Sequence, residues 1–101
     1  MWTELNTTGE RGTEDGIIIK DEEYKDSIRI TLETCPRYGK NVFAITCGIY
    51  GSMVHTCFYD EKEVFTIYEL MKLDLQEFFD REEIMSDEEE SFYDYFTSKY
   101  K

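Results

Sequence analysis

The chain has 101 residues, 41% hydrophobic and 34% charged, and its 23 Asp and Glu outnumber 11 Lys and Arg to give a net charge of −12. This length and apolar content predict one domain, residues 1–101, with one hydrophobic core. The charge opposes direct binding to nucleic acid and to anionic membranes. No stretch approaches the roughly 20 apolar residues of a membrane helix, and no basic segment followed by an apolar one begins the sequence. We therefore expect a soluble, cytoplasmic protein.

Strand patterns occupy the first part of the chain. Residues 1–16 are rich in glycine and polar side chains and are predicted to form a flexible arm or an edge strand. In residues 27–34 and 42–49, apolar and polar side chains alternate with a period of two, which is typical of a strand with one buried face. A third strand is predicted at 52–59. A run of three isoleucines at residues 17–19, before the first of these strands, is a candidate for a fourth. The segment 17–59 is therefore predicted to be an antiparallel meander.

Helical periodicity begins after Asp60. Apolar side chains recur at steps of three and four along residues 62–83, which predicts an amphipathic helix. Ser86, followed three residues later by Glu89, matches a capping box and predicts an acidic, aromatic helix over residues 86–100. This order indicates an α+β fold, with an antiparallel sheet of three to four strands followed by two C-terminal helices packed on one face.

Acidic residues are concentrated in the C-terminal part of the chain. Residues 60–101 hold fourteen Asp or Glu against five Lys or Arg, and residues 74–94 hold ten acids against one base, Arg81. On helices this corresponds to one net negative charge per roughly 3.5 Å, close to the about 3.4 Å per charge along one DNA strand. The same region is rich in Phe and Tyr, unlike a disordered acidic tail. The pattern predicts a folded acidic surface that attracts basic partners.

We predict that this surface binds a basic protein, because tyrosines lie among its carboxylates, as is typical of interface hot spots. Tyr93, Tyr95 and Tyr100 are the aromatic side chains expected to be exposed. The predicted partner-binding residues are Asp74, Glu77, Asp80, Glu82, Glu83, Asp87, Glu88, Glu89, Glu90, Tyr93, Asp94 and Tyr95. One alternative is that they form solvated helix faces that keep a small protein soluble. Another is weak binding of divalent cations at the surface.

The sequence contains no catalytic constellation. His55 is the single histidine, and by alternation it shares a strand face with Met53, Cys57 and Tyr59. It could serve as the base for a cysteine nucleophile, but a spacing of two residues on a strand is not a catalytic signature. The paired cysteines of a zinc site, the spacing of a calcium loop and a phosphate-binding loop are all missing from the sequence. We therefore predict a protein that is not an enzyme and has no metal site and no cofactor.

The cysteines allow two interpretations. Cys35, Cys47 and Cys57 are odd in number and widely spaced, which favours reduced, buried thiols over a disulfide framework. If the turn before the third strand is centred near Ser52, Cys47 and Cys57 lie opposite one another. A cross-strand disulfide between them is then the alternative, although a cytosolic setting favours the thiols.

Two phrases of the sequence carry a resemblance to a known group of proteins, GIIIKDEEY at residues 16–24 and ITCGIYG at residues 45–51. With them, residues 1–96 resemble the small acidic proteins encoded on phages and conjugative elements of Gram-positive bacteria, some of which are anti-CRISPR proteins. The resemblance implies an inhibitor that acts in the cytoplasm of a bacterial host. It assigns no role to an individual residue, because this group shares size and acidity more than sequence.

Three functional hypotheses follow. The first is a non-catalytic inhibitor that docks its acidic C-terminal helices into the basic nucleic-acid or PAM-reading groove of an RNA-guided CRISPR nuclease. The second is an immunity protein that neutralises a basic nuclease toxin. The third is a small enzyme that uses His55 and a cysteine. In the first two, the partner is a basic protein, and neither nucleic acid nor membrane is bound directly.

Overall fold

The computed structural model describes residues 1–81 and 83–101, in which a β-sheet precedes two helices. The strands are β1 (Trp2–Glu4), β2 (Ile18–Tyr24), β3 (Ile28–Thr34), β4 (Val42–Ile49) and β5 (Met53–Asp60). The helices are α1 (Glu61–Phe79) and α2 (Ser86–Lys99), and a short 3₁₀ helix at Pro36–Tyr38 lies between β3 and β4. The predicted α+β class, with the sheet first and two C-terminal helices, is confirmed.

The strands of the described residues form one antiparallel sheet of five, in the order β1-β2-β3-β4-β5. The prediction of three to four strands was therefore too low, and the additional strand is part of the N-terminal arm. Trp2 pairs with Tyr24 across the sheet edge, with ring centroids 5.1 Å apart. The indole N–H of Trp2 also donates a hydrogen bond to Gln76 of α1 at 3.1 Å. A strand of three residues is too short to show a period of two, so the sequence left its structure open.

One face of the sheet packs against the two helices and forms the core. The alternation predicted for β3 is confirmed, because Ile28, Ile30 and Leu32 are fully buried. The core cluster consists of Tyr24, Ile28, Ile30, Leu32, Ile45, Cys47, Ile49, Cys57, Val64, Tyr68, Met71, Leu75, Phe96 and Tyr100. These side chains come from β2 to β5, from α1 and from the C-terminal end of α2. Neither helix can leave the sheet without exposing apolar surface to water.

The first helix begins directly after β5. The Asp60 carboxylate accepts hydrogen bonds from the backbone N–H groups of Lys62 at 3.0 Å and Glu63 at 3.2 Å, which caps the helix. α1 ends at Phe79, before the predicted end at residue 83, because the chain turns at Asp80.

Among the described residues, no helix combines the length and the hydropathy needed to cross a membrane.

α2 begins at Ser86, the predicted start, but its capping differs from the prediction. Met85 occupies the N-cap position, and its carbonyl accepts the hydrogen bond from the Glu89 N–H at 3.1 Å. Ser86 is already helical, and no side chain caps this end. The capping box predicted at Ser86 was therefore wrong by one position, since the first intrahelical hydrogen bond begins one residue earlier. Acidic side chains in the first turn still favour the helix through its dipole.

The other face of the sheet is tied to the connection between β1 and β2 by two buried carboxylates. Glu33 is 1% exposed and accepts hydrogen bonds from the backbone N–H groups of Gly16 at 2.9 Å and Glu14 at 3.2 Å. A Cβ atom at Gly16 would lie 1.6 Å from the carbonyl oxygen of Thr34, so only glycine fits there. This contact fixes the connection against the end of β3.

Asp21 is the second buried carboxylate, with 2% exposure. It accepts hydrogen bonds from Nε of Arg29 at 2.9 Å and from Nη2 of Arg29 at 2.5 Å. The hydroxyls of Thr31 and Thr7 donate to it at 2.9 Å and 2.6 Å. Burial raises the pKa of Asp21, but the hydrogen bonds from these three side chains outweigh burial and hold the pKa below its ordinary value.

Candidate functional site

A groove of about 450 Å³ lies between α1 and α2. Five of the predicted partner-binding residues line it, namely Asp74, Glu77, Asp87, Glu88 and Tyr95. Phe78, Arg81, Ser91 and Phe92 complete the lining. We call this feature the interhelical groove, and it is the place where the structure brings carboxylates of both helices together.

Aromatic side chains hold the two helices together along the interhelical groove. Phe78 of α1 and Phe92 of α2 stack with ring centroids 4.1 Å apart and planes inclined by 8°. Phe92 also contacts Phe96, one turn further along α2, at a centroid distance of 5.6 Å. Residues four apart share one face of a helix, so this spacing directs both rings toward α1 and the core. The aromatic contacts therefore fix the carboxylates of α2 relative to those of α1.

Arg81 is the single base between residues 74 and 94, and it lies in the interhelical groove. Its guanidinium carbon is 5.0 Å from the centroid of the Phe78 ring, within the range of a cation–π contact. Its Nη1 is 3.5 Å from Oε2 of Glu88. The groove therefore already accommodates one guanidinium, on an aromatic face and beside a carboxylate.

Two of the predicted carboxylates are engaged inside the protein. Asp74 accepts hydrogen bonds from Nζ of Lys99 at 2.9 Å and from the hydroxyl of Tyr100 at 2.5 Å. Asp80 forms an ion pair with Lys25 at 2.8 Å and also accepts a hydrogen bond from the Tyr24 hydroxyl. The hydrogen bond from Lys25, followed by that from Tyr24, holds the pKa of Asp80 below its ordinary value. Both carboxylates attach helices to the rest of the fold, which leaves them less available to a partner.

The remaining predicted carboxylates are largely free of internal charge partners. Glu77, Glu83, Asp87, Glu89, Glu90 and Asp94 form no ion pair with any described residue. All are exposed except Glu89, which is half-buried. Glu82, also a predicted partner-binding residue, lies outside the described residues. Glu88 faces Arg81, as above, and both of their side chains are about half exposed.

The three tyrosines expected at the surface differ in exposure. Tyr95 is exposed, at 52%, whereas Tyr100 is 1% exposed and belongs to the core. Tyr93 is half-buried, and its hydroxyl is buried without a hydrogen-bond partner among the described residues. The expectation of exposure was therefore wrong for Tyr100 and only partly met for Tyr93. Both point toward the core because they follow the apolar stripe that contains Phe96.

The sequence did not identify Phe78, Phe92 and Arg81 as groove residues. Phe78 and Phe92 were assigned only to the apolar stripes of the two helices, where they equally fit a buried core. Whether these rings line a groove or pack entirely in the core depends on the angle between α1 and α2. That angle depends on the connection between the two helices, for which the sequence has no recognisable turn motif.

The structure places His55 beside one of the cysteines but engages both groups elsewhere: the imidazole in a hydrogen bond and the thiol in the core. In the register of β4 and β5, Cys47 lies opposite His55, and Cys57 lies opposite Ile45. Nε2 of His55 is hydrogen-bonded to the backbone carbonyl of Tyr100. Burial raises the pKa values of the Cys47 and Cys57 thiols to about 12, so both are protonated at neutral pH.

The register does not support the disulfide alternative, which required Cys47 and Cys57 to lie opposite one another. The tight turn after β4 pairs Ile49 with Met53, and this places Cys47 and Cys57 on the same sheet face but in different cross-strand pairs. The predicted burial of the cysteines is confirmed, with Cys35, Cys47 and Cys57 at most 1% exposed.

We expect the native protein to react with a thiol reagent such as DTNB at least about 100-fold more slowly than the unfolded protein, because reaction requires an opening of the core. The control is the same measurement in denaturant, where all three thiols should react together. Rapid reaction of one thiol in the native state would contradict this account and would restore a cysteine as a candidate nucleophile.

A second cavity, of about 550 Å³, lies on the other face of the sheet. Its lining includes Arg29 and Arg11, and each arginine already faces a carboxylate. Arg29 is paired with Asp21 at 2.5 Å, and Arg11 with Asp15 at 3.4 Å. This cavity therefore lacks the excess negative charge that characterises the interhelical groove.

The chemistry of the interhelical groove is that of carboxylates beside aromatic rings. These are the groups that bind guanidinium and ammonium ions in proteins. Among the described residues, no three His, Cys, Asp or Glu side chains are grouped so that they could hold a metal ion. No protein-family model, curated protein or solved structure matches the chain.

Proposed function

We propose that the protein is a non-catalytic inhibitor whose acidic helices occupy the basic nucleic-acid-binding groove of a bacterial effector, with an RNA-guided CRISPR nuclease as the leading target. The observation that carries the proposal is the concentration of carboxylates on α2 and on the adjoining end of α1, most of which form no ion pair among the described residues. Arg81 is the single base between residues 74 and 94, so this surface keeps a large net negative charge. A basic groove supplies the charge that this surface lacks.

The physical basis is competition for the same cationic side chains. A groove that binds DNA is lined by Lys and Arg, and it releases counterions when it takes up a polyanion. α2 has 14 residues and spans about 21 Å, which corresponds to about six phosphate spacings of one DNA strand. Docked in that groove, α2 would exclude DNA by occupying its space and by neutralising its charge.

An RNA-guided nuclease fits this chemistry because it holds its heteroduplex in a positively charged channel and reads the PAM with arginines. A nuclease toxin has a basic groove as well, and it is the alternative target. The two targets are separated by measuring which purified nuclease the protein inhibits. Inhibition of a toxin, without effect on RNA-guided cleavage, would identify an immunity protein.

We expect the triple charge reversal E88K/E89K/E90K to weaken binding to the target nuclease at least about 100-fold, because three attractive contacts become repulsive. Inhibition of DNA cleavage should fall in parallel. Raising the ionic strength should weaken the wild-type complex in the same way, since screening shortens the range of surface electrostatics. The affinity is measured by titration with the purified nuclease at two salt concentrations.

The matched control is the triple reversal E10K/E61K/E63K, which changes the net charge equally. Glu61 and Glu63 lie in the first turn of α1, as Glu88 and Glu89 lie in that of α2, so the cost to the helix dipole is similar. Glu61 is about 24 Å along the helix from Glu77, well beyond the roughly 8 Å Debye length at physiological salt. The control should bind almost as the wild type does. Equal losses for both variants would contradict a localised acidic site.

A further inference from the structure

We infer that the interhelical groove binds an arginine side chain of the partner, in preference to lysine, and that Arg81 occupies this position in the free protein. The inference rests on the proposed function and adds to it the identity of the recognised side chain. It assigns separate roles to the aromatic rings of the groove and to its carboxylates.

The first observation is the environment of Arg81. Its guanidinium carbon lies 5.0 Å from the centroid of Phe78, and its closest carboxylate contact, with Glu88, is 3.5 Å. That contact is at the limit of a hydrogen bond, and both side chains are about half exposed to water. Exposed ion pairs of this kind contribute little, so a guanidinium from a partner can displace Arg81 at low cost.

The second observation is that the groove has capacity for more positive charge. Glu77 and Asp87 line it without an ion pair among the described residues, and its volume of about 450 Å³ exceeds that of one side chain. Phe92 and Tyr95 add aromatic surface on the α2 side, and Nζ of Lys99 lies 5.4 Å from the centroid of the Tyr95 ring. A partner arginine thus finds an aromatic face and carboxylates within one concave site.

The groove favours arginine over lysine for geometric reasons. A guanidinium is planar, stacks on aromatic rings and donates two parallel hydrogen bonds to a carboxylate. An ammonium group is a compact, strongly hydrated charge that gains little from a stacked ring at an exposed site. A purely electrostatic surface would not distinguish the two, because both side chains carry one positive charge. A preference for arginine over lysine would therefore indicate binding in the interhelical groove.

The experiment compares two peptides of equal length and charge, one of alternating glycine and arginine and one of alternating glycine and lysine. Binding is followed by NMR titration of the wild-type protein, which also reports the residues affected. We expect the arginine peptide to bind at least about threefold more tightly. The largest shifts should occur at the amides of Phe78, Asp87, Phe92 and Tyr95.

Two variants test the parts of the site. Arg81→Ala should bind the arginine peptide about threefold more tightly than the wild type, since the internal guanidinium no longer competes. Arg11→Ala is its control, because it removes one positive charge from an exposed side chain outside the groove. Tyr95→Ala should reduce the preference for arginine, whereas Tyr38→Ala, at a comparably exposed tyrosine remote from the groove, should keep it.

The possible outcomes separate this inference from the proposed function. Equal affinity for the two peptides, with both lost at high salt and in E88K/E89K/E90K, would overturn arginine recognition and leave the electrostatic inhibitor intact. If Tyr95→Ala keeps the preference for arginine and Arg81→Ala binds the arginine peptide no more tightly than the wild type, the arginine site does not lie in the interhelical groove. Failure of both peptides to bind at low salt would overturn the arginine site and would count against the proposed function too.

Discussion

Replacing Arg29 by methionine should lower the free energy of unfolding by about 3 kcal/mol, because it leaves a buried carboxylate without its counter-ion. Asp21 has no exposed side-chain surface, and Arg29 donates two hydrogen bonds to it. The value lies at the lower end of the range for broken buried pairs, since the Arg29 side chain is 42% exposed and water can reach the site. Urea unfolding followed by circular dichroism measures the change.

The control is the double variant Arg29→Met with Asp21→Asn, which removes the uncompensated charge and should recover about half of the loss.

The pH dependence of stability gives an independent test of the same ion pair. The pKa of Asp21 is lower in the folded protein than the about 3.9 of an unfolded chain, so the ion pair stabilises the fold above that pH. Its contribution is lost as the pH falls through the folded pKa. The difference between wild type and Arg29→Met should be largest near pH 7 and shrink as the pH falls, because without Arg29 burial raises the pKa of Asp21 and protonation removes the uncompensated charge of the variant. An equal difference at pH 7 and at pH 3 would contradict this account.

Phe96→Ala should lower the free energy of unfolding by about 3–5 kcal/mol and release α2 from the sheet. Phe96 is fully buried, and it is the residue of α2 that belongs to the core cluster. Its ring lies 4.9 Å from that of Tyr100 and 6.3 Å from that of His55. Because α2 carries five of the predicted partner-binding carboxylates, binding to the target nuclease should be lost together with the helix. Thermal unfolding and hydrogen exchange of the α2 amides measure the two effects.

The neighbouring residue provides the matched control. Tyr95 is aromatic and on the same helix, but it is 52% exposed. Tyr95→Ala should therefore cost less than about 1 kcal/mol and leave the exchange of the α2 amides protected. Similar losses for Phe96→Ala and Tyr95→Ala would mean that α2 does not depend on a single buried anchor.

Patterns that extend over many residues were predictable from the sequence. The alternation in β3 and β4 specified which face of each strand is buried, because a one-residue slip would have placed Ile30 and Ile45 in water. The apolar stripe of α1 likewise specified its core face, from Val64 to Leu75. In both cases the hydrophobic period is repeated often enough to override local propensity.

Features determined by a few residues or by tertiary contacts were not predictable. β1 has three residues and depends on the contact of Trp2 with Tyr24 and Gln76, which are distant in sequence. The capping of α2 was also mispredicted, because Met85 and not Ser86 occupies its N-cap position. The cross-strand partner of Cys57 depended on the register of the turn after β4, which one residue can change.

The candidate site was predictable in composition but not in geometry. The concentration of carboxylates is visible in the sequence, and five of the residues it named line the interhelical groove. The sequence could not show that Asp74 and Asp80 are engaged by Lys99 and Lys25, because those lysines lie far away along the chain. Nor could it show that Phe78 and Phe92 stack, since this requires the angle between the helices.

Affinity capture can identify the partner and locate its contact in one experiment. The tagged wild-type protein and the tagged E88K/E89K/E90K variant are each incubated with a lysate that contains type II RNA-guided nucleases and nuclease toxins. Retained proteins are identified by mass spectrometry after washes at low and high salt. We expect the wild type to retain a basic nuclease at low salt, and we expect both the triple reversal and high salt to release it. Retention of the same nuclease by both proteins, or of no basic nuclease by the wild type, would contradict an inhibitor that acts through its acidic helices.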